Sequence, residues 1–472
     1  LAWLVSKLFN ACLSPHSMGK EKFFLILILL LGLVLRLIKL DQSFWLDEAS
    51  QAQMSSLPAQ QIWFDRQADF HPPLFYLISH YWLELGRSET WLRLLPISFG
   101  VINIYVIYII AKNIYLSSNP SPLKGEGNAR GEVLGLISAF LLSVNPYHIY
   151  YSQEFRSYSL LALLGTLSML AFYKKHWSLF IFNALLLYTH YSSILLILTQ
   201  FVYVLIFNRK YIKATSIYFL LSSILFLPWL PQFVIQLQSG VNIDQYLPGW
   251  RNLLTLSPLK SLPLIFFKFV AGRINLLPKY IYAVYIVFVL AVTAVALLLA
   301  RGKRRFLYTW LFAPLIGSIL LSFAIPQTQP FRLIFTLPAL VILLAEASMR
   351  FPKLFLTLLI YISIVGNYTY FTRPRLQREQ WRQALELVRS DPALMVVKFP
   401  GAFAPMTWYA PNLPVIASQS LPTKESKLYL FQYLSGLTDP EYKVDSQLQA
   451  SGYTLQKRYN FEGVGFVDLY QK

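Results

Sequence analysis

Long apolar runs separated by short polar connections dominate the first 371 residues of the chain. A run of about 17 to 23 apolar residues can cross the roughly 30 Å hydrocarbon layer of a membrane as an α-helix. We predict eleven spans, near residues 23–40, 94–111, 132–149, 157–173, 177–189, 192–208, 214–230, 279–300, 306–324, 333–349 and 354–371. A further apolar stretch at 261–272 indicates either a surface or re-entrant helix or a twelfth span.

The pattern changes from about residue 372 to that of a soluble domain. Trp381, Leu385 and Val388 have helical spacing within residues 379–389, and strand-like segments follow at 394–399, 415–418 and 427–433. We therefore predict a mainly α protein, a polytopic transmembrane helical bundle with a small C-terminal α/β domain. The expected boundaries are an N-terminal extension at 1–22, in which residues 1–17 precede the first methionine, Met18, a transmembrane domain at 23–371 and the α/β domain at 372–472.

Composition supports a membrane protein and excludes several other classes. Hydrophobic residues make up 56% of the chain and charged residues 13%, whereas a soluble globule has about 25% charged residues. The net charge of +19 comes from short basic clusters between apolar runs, which argues against nucleic-acid binding. The single cysteine, Cys12, excludes intramolecular disulfides, Cys-rich zinc sites and iron–sulfur clusters.

The distribution of charge predicts the topology. With the amino terminus in the cytoplasm, the inside connections hold sixteen Lys and Arg residues and three acids, as the positive-inside rule requires. The loop at 41–93 carries seven acids and lies outside, and an odd number of spans puts residues 372–472 outside too. We expect a multi-pass membrane protein whose loop at 41–93 and residues 372–472 lie on the same, outer face.

The outside loop contains an adjacent acidic pair, Asp47 and Glu48, shortly after the first predicted span. Near a low-dielectric boundary, desolvation and mutual repulsion can raise the pKa of one carboxyl group and make it a usable base. An acidic pair after a helix is also common in solvated loops, so the pair alone decides nothing.

A second motif in this loop is DFHPPLFY at residues 69–76. Two prolines fix the backbone and hold Asp69 and His71 at the edge of the next apolar segment. His71 could orient a carboxylate, bind a sugar hydroxyl or ligate a metal, or it could be a surface residue of a rigid loop.

The third group is an outside turn with the sequence NPYHIYYSQEFRSY at residues 145–158. Arg156 can present a planar fork to a phosphate, and tyrosines, Tyr151 and Tyr158 among them, supply stacking faces and hydroxyl donors. The alternative is an interfacial aromatic belt with a Glu154–Arg156 ion pair that joins helices. Together the three groups offer a base, a cation and an aromatic platform, which is what sugar transfer from a lipid phosphate needs.

Several segments resemble integral-membrane glycosyltransferases of the GT-C fold, in the bacterial branch related to protein O-mannosyltransferases and aminoarabinose transferases. The segments are LDEAS, HPPLFYLISHYWLELGRSETWLRLLP, NPYHIYYSQEFRSYSLL, the YTHY turn and PFRLIFTLPAL. They match in order and in position relative to the spans, well over the first two hundred residues and loosely beyond. The tail from EQWRQALELV is similar to the outside domain of bacterial members.

The resemblance implies roles for individual residues. Asp47 would be the general base and Glu48 would shape the site as the other catalytic residue. Arg156 would contact the polyprenyl-phosphate group and His71 would line the donor pocket, with Glu154, Tyr151 and Tyr158 as further donor-binding candidates. Aminoarabinose transferases have a lysine before the paired prolines, where this chain has His71, so neither the donor sugar nor a divalent metal is carried over.

The resemblance thus implies an enzyme of the bacterial inner membrane that moves one sugar from a polyprenyl-phosphate carrier to an outside acceptor, with its active site on the extracytoplasmic face. Arabinose, mannose, galactose and glucose donors, and protein, lipid and glycan acceptors, all fit the sequence. The alternative is a polytopic transporter or lipid-linked sugar flippase, but such a protein should carry ionisable residues in mid-span, and here Glu346 is the only acid well inside a late span. A non-enzymatic scaffold would not need eleven spans to anchor one small domain.

Overall fold

The computed structural model of the chain describes residues 18–64, 70–118, 124–241, 258–276, 278–300, 304–323, 328–399, 403–421 and 424–472. The protein is mainly helical there, with one small sheet near the carboxyl end. The helices before the sheet are α1 (Met18–Leu37), α2 (Leu46–Ser55), α3 (Ala59–Phe64), α4 (Leu74–Leu85), α5 (Glu89–Ser118), α6 (Lys124–Ser143), α7 (Pro146–Ser152), α8 (Tyr158–Lys174), α9 (Leu179–Leu187), α10 (Ile194–Phe207), α11 (Ile212–Phe226), α12 (Leu230–Val241), α13 (Pro258–Ala271), α14 (Lys279–Leu299), α15 (Arg305–Leu321), α16 (Leu337–Arg350), α17 (Pro352–Thr372) and α18 (Trp381–Ser390).

The chain is a multi-pass membrane protein. Within the described ranges five helical stretches are long and apolar enough to cross a membrane, or six if the bent pair α6 and α7 forms one span. The five are Glu89–Leu116, Arg209–Gly240, Lys279–Leu299, Pro330–Arg350 and Pro352–Thr372, and three shorter apolar helices accompany them. The structure does not confirm a count of eleven.

Two apolar runs form helices that are short for a membrane span, one of them among the eleven predicted and the other the possible twelfth. Helix α9, at the predicted fifth span, has nine residues and is only about 14 Å long at 1.5 Å per residue. Helix α13, at the 261–272 stretch, has 14 residues, and its Ile265, Phe267 and Phe269 side chains are buried within the protein. This length and burial favour a re-entrant helix over a twelfth span.

The helices divide into an outer and an inner set. Helix α14 exposes large apolar side chains such as Val284, Val287 and Leu298, as a helix that faces lipid does. Helix α16 has nearly all its side chains buried and therefore lies at the centre of the bundle. Its acidic residue Glu346 is paired with Arg304 at 2.7 Å, so the charge inside this late helix is compensated by a neighbouring helix end.

A sharp break between α6 and α7 brings the third sequence motif into the site. The axes of the two helices meet at an angle of 62°. Pro146 begins α7, and a proline disfavours helical backbone at the residue that precedes it. The Asn145 side chain caps α7 by accepting a hydrogen bond from the backbone N–H of His148 at 2.8 Å. Buried Arg36 donates to the last carbonyl of α6, that of Ser143, at 3.0 Å and contacts the His148 ring at 2.7 Å. These contacts satisfy both helix ends at the break.

The carboxyl-terminal sheet has five strands in the order β2-β1-β3-β5-β4. Strands β1 to β3 are parallel, and β5 and β4 are antiparallel to their neighbours. The elements are β1 (Leu394–Val397), α19 (Ala404–Tyr409), β2 (Val415–Ala417), β3 (Lys427–Phe431), α20 (Ser435–Thr438), α21 (Lys443–Ala450), β4 (Thr454–Phe461) and β5 (Gly465–Gln471). Alternate residues of β1 and β3 enter two hydrophobic clusters, one on each face. The helix and the three strands predicted here are confirmed, and the small C-terminal α/β unit with them.

Candidate active site

Helix α2 carries the acidic pair in its first turn, where the partial positive charge of a helix N-terminus favours carboxylates. The helix has no side-chain cap of its own. Instead, the backbone N–H of Leu46 donates to the carboxylate of Glu379, from the tail, at 3.1 Å. The side chain of Asp47 is 40% exposed and that of Glu48 is 0% exposed, so the two acids have different surroundings.

The Glu48 carboxylate is held entirely by protein groups. Arg93 binds it through two hydrogen bonds of 2.9 and 2.6 Å, and the backbone N–H of Phe155 donates to it at 2.8 Å. The guanidinium of Arg378 lies 3.8 Å from its second oxygen. Burial by itself would raise the pKa of Glu48, but the charges of Arg93 and Arg378 outweigh it and lower the pKa below its ordinary value. These contacts join α2 to α5 and to the turn before α8, which is a shaping role.

Asp47, Arg156 and His71 meet on the other side of α2. Arg156 approaches Asp47 with one nitrogen 3.3 Å from the backbone oxygen and another 3.8 Å from the carboxylate. The second nitrogen also lies 3.3 Å from Nε2 of His71. The guanidinium is buried and lies 5.9 Å from the ring centre of Tyr158. A half-exposed carboxylate and a buried cation therefore share one site, and the contacts between them are long for hydrogen bonds.

The Glu154–Arg156 ion pair, the alternative interpretation of this turn, does not form. The carboxylate of Glu154 binds Arg378 at 2.7 Å, and both side chains are buried. The side chain of Arg156 points to Asp47 instead, so Glu154 and Arg156 share only a backbone contact. Two residues on one turn can point in different directions, and the better partner for Glu154 comes from a residue more than two hundred positions away.

Aromatic rings form a wall beside Arg156. The rings of Tyr151 and Tyr158 lie 5.3 Å apart, and that of Phe331 lies 5.0 Å from Tyr158. The His190 ring completes the wall at 6.2 Å from Tyr158. Next to Phe331, the backbone oxygen of Arg332 is bound by the Ser192 hydroxyl at 2.6 Å, which ties this segment to the turn that holds His190. The rings meet edge to face or tilted, and aromatic groups of this kind can pack against a sugar or an isoprenoid.

The HPP loop and the YTHY turn are joined to each other. Leu74, the first residue of α4, donates its backbone N–H to the Tyr188 carbonyl at 2.9 Å. The rings of His71 and His190 meet edge to face at 5.7 Å. Asp69, predicted beside His71, lies outside the described residues. All five motif segments that resemble GT-C enzymes thus contribute to one site.

Among the residues that the structure describes, the site has no set of side chains that fits a metal ion. No group of three or more His, Cys, Asp or Glu side chains in this part of the chain could hold one. The nearest pair of histidines, His71 and His190, has the Arg156 guanidinium 3.3 Å from His71, and a fixed positive charge disfavours a second cation.

Comparison with known proteins bears on the fold. No protein-family model and no curated protein matches this chain. Among solved structures, ArnT from Cupriavidus metallidurans bound to undecaprenyl phosphate matches 96% of this chain and 98% of its own, with a TM-score of 0.58 and 14% identity. The chain has a GT-C fold. The protein O-mannosyltransferase complex Pmt1-Pmt2 of S. cerevisiae bound to its sugar donor matches 53% of this chain and 37% of its own, with a TM-score of 0.34 and 12% identity.

Sequence reasoning missed several residues of this candidate site. Arg93, Arg378 and Glu379 hold the acidic helix, and His190 and Arg332 lie at the aromatic wall. Arg93, His190 and Arg332 stand in segments already matched, WLRLLP, YTHY and PFRL, so the motifs themselves were the signal. Arg378 and Glu379 sit where the tail begins to resemble bacterial relatives, but no spacing in the sequence links them to α2.

Proposed function

We propose that the protein is a membrane glycosyltransferase that moves a single sugar from a polyprenyl-phosphate carrier to an acceptor on the extracytoplasmic face. One observation carries the proposal: the half-exposed Asp47 carboxylate and the buried Arg156 guanidinium lie 3.8 Å apart in one aromatic-lined site. The GT-C fold shared with ArnT, which was solved with undecaprenyl phosphate, supports a lipid-phosphate donor.

Asp47 and Arg156 can act on the nucleophile and on the leaving group, respectively, of a nucleophilic displacement at the sugar. Asp47 takes the proton of the acceptor hydroxyl, whose oxygen forms the bond to the anomeric carbon of the sugar. The bond from that carbon to the carrier phosphate breaks, and its electron pair leaves on the phosphate. Arg156 stabilises the negative charge of the departing phosphate. Since a phosphate is a weak base, no acid is needed to protonate it, in contrast to the paired carboxylates of glycosidases.

The remaining candidates surround this pair. His71, between Arg156 and His190, lines the donor pocket, and Tyr151 and Tyr158 offer faces for the sugar or the first isoprene units. Glu154 acts through Arg378, which its carboxylate binds, and not on the donor itself. Glu48 orients α2. The sugar is a hexose or a pentose, and the acceptor is a protein, a lipid or a glycan.

Replacing Asp47 tests the proposal. Asp47→Asn keeps the size of the side chain but removes the base, and we expect transfer from a polyprenyl-phosphate sugar to fall by about 100-fold or more. The measurement is sugar transfer by purified protein in lipid nanodiscs, with a panel of undecaprenyl-phosphate sugars as donors and cell-envelope fractions as acceptors.

The control is Glu84→Gln on α4, an acid of the same loop whose side chain is 65% exposed. It should retain full activity. Normal turnover by Asp47→Asn would remove Asp47 from the mechanism.

A further inference from the structure

Two consecutive residues of the tail, Arg378 and Glu379, hold the two segments that carry the proposed base and cation. The guanidinium of Arg378 lies between Glu48, the neighbour of Asp47, at 3.8 Å and Glu154, two residues before Arg156, at 2.7 Å. All three of these side chains are nearly or fully buried. A single planar cation therefore bridges helix α2 and the turn before α8.

Glu379 holds the first turn of α2 from the other side. Its carboxylate accepts the backbone N–H of Leu46 at 3.1 Å and is itself fixed by Trp381 at 2.6 Å and by the Tyr433 hydroxyl at 2.8 Å. Its backbone carbonyl accepts the hydroxyl of Ser43, just before α2. The cap that α2 lacks in its own sequence is thus supplied by a residue anchored in the core of the tail.

Further contacts make this attachment rigid. The Tyr409 hydroxyl accepts the backbone N–H of Phe44 at 2.6 Å and donates to Glu89 at 2.9 Å. Arg382 binds Glu89 at 3.1 Å, and Leu46 packs against the hydrophobic cluster of the tail. The tail is therefore attached to the start of α2 through several side chains and not through one alone.

The distances show which contacts set the geometry of the site. The Arg156 guanidinium and the Asp47 carboxylate come only within 3.8 Å, beyond hydrogen-bond distance, and the contact of Arg156 with the Asp47 backbone oxygen, at 3.3 Å, is long. The ties one and two residues away are short: Glu48 to Arg93 at 2.6 Å and Glu154 to Arg378 at 2.7 Å. The flanking buried pairs, more than the catalytic pair itself, hold the two reactive groups in place.

We propose that the carboxyl-terminal tail is a positioning device for the active site, with Arg378 as the positioning residue that sets the distance between Asp47 and Arg156. This inference rests on the proposed function. Arg378 touches neither Asp47 nor Arg156 in any contact of the described residues, and it acts through Glu48 and Glu154. A displacement of about 1 Å in a catalytic group can cost a factor of about 100 in rate, so removal of the bridge should be costly.

The experiment combines two substitutions in a cycle. Arg378→Ala should lower kcat by about 10- to 100-fold, and Arg378→Lys, which keeps the charge without the planar fork, should recover part of the loss. In an Asp47→Asn background, Arg378→Ala should cause less than about a twofold further loss, because a misplaced base matters only when the base is present. Arg375→Ala, an exposed arginine three residues earlier, is the matched control and should be neutral.

Each outcome separates this inference from the proposed function. Equal losses from Arg378→Ala in both backgrounds would indicate general damage to the fold and overturn the positioning role, as would a normal kcat. Normal activity of Asp47→Asn alone would instead overturn the proposed function.

A second variant keeps the test valid if Arg378→Ala does not fold. Glu379→Gln weakens the cap of α2 without removing a buried ion pair, and it should lower kcat by about fivefold only when Asp47 is present. Glu386→Gln, an exposed acid on α18, is its control. A normal kcat for Glu379→Gln would overturn the role of the tail.

Discussion

Loss of the Arg156 guanidinium should weaken binding of the carrier phosphate. Its nitrogens lie 3.3 Å from the Asp47 carbonyl, 3.8 Å from the Asp47 carboxylate and 3.3 Å from His71, all at the long end of hydrogen-bond geometry. A phosphate can replace such contacts at little cost. Because a hydrogen bond to a charged group contributes about 1.5–3 kcal/mol, Arg156→Ala should weaken binding by about 10- to 150-fold.

Arg156→Lys should have a smaller effect, since lysine keeps the charge and loses the two-pronged geometry. If it loses about half the binding energy, affinity falls by about 3- to 10-fold. Both variants are to be titrated with undecaprenyl phosphate and, in parallel, with undecaprenol, which lacks the phosphate. The wild type and both Arg156 variants should bind undecaprenol with equal affinity. Arg375→Ala should bind both lipids with the affinity of the wild type. Unchanged undecaprenyl phosphate affinity in both Arg156 variants would refute a phosphate-binding role and leave Arg156 as a structural partner of Asp47.

Two further predictions concern stability and topology. Glu48→Ala leaves its arginine partners with uncompensated buried charge and should destabilise the protein by about 3–5 kcal/mol, more than Glu48→Gln, as measured by thermal unfolding in detergent; an unchanged melting temperature would contradict this. Because the pKa of Glu48 is lowered in the folded protein, its contribution is present above the unfolded-state pKa and is lost as pH falls through the folded value, and Glu48→Gln should flatten that acid-side decline. In a Cys12→Ser background, Ser56→Cys and Ser420→Cys should react in intact cells with a membrane-impermeant thiol reagent, whereas Ser118→Cys should not; labelling of Ser118→Cys without Ser56→Cys would invert the topology and remove the lipid-phosphate donor from consideration.

The sequence predicted which segments form the site because topology alone sorts them. Alternation of apolar runs and basic connections assigns Asp47, His71 and Arg156 to one membrane face, and the structure brings these three together. The partners of Glu154 and Glu48 could not be found in the same way. Both carboxylates bind Arg378, which lies more than two hundred residues along the chain, and nothing in local periodicity encodes so distant a pairing.

The span count was the weakest inference for a related reason. An apolar run shows that a segment avoids water, but lipid and protein interior satisfy that requirement equally. Helix α13 is covered by protein on the side of Phe267 and Phe269, and α9 ends after nine residues. The length of an apolar run identifies a membrane span only when the boundaries of its helix are known. The sequence predicted a 13-residue span at 177–189, a short run that the polar turn at 188–191 interrupts, and α9 covers only nine of those residues.

The acidic pair shows how helix geometry separates two roles that the sequence presents as one. Neighbouring residues on an α-helix point about 100° apart, so Asp47 and Glu48 cannot share one environment once α2 has formed. Glu48 turns towards the protein and is fixed by Arg93, whereas Asp47 turns towards the site and meets Arg156 only loosely. As the proposed base, Asp47 therefore does not depend on repulsion from Glu48. What it needs is a fixed helix under it, and the buried neighbour supplies that, which is why loss of Glu48 should impair transfer even though its carboxylate faces away from the site.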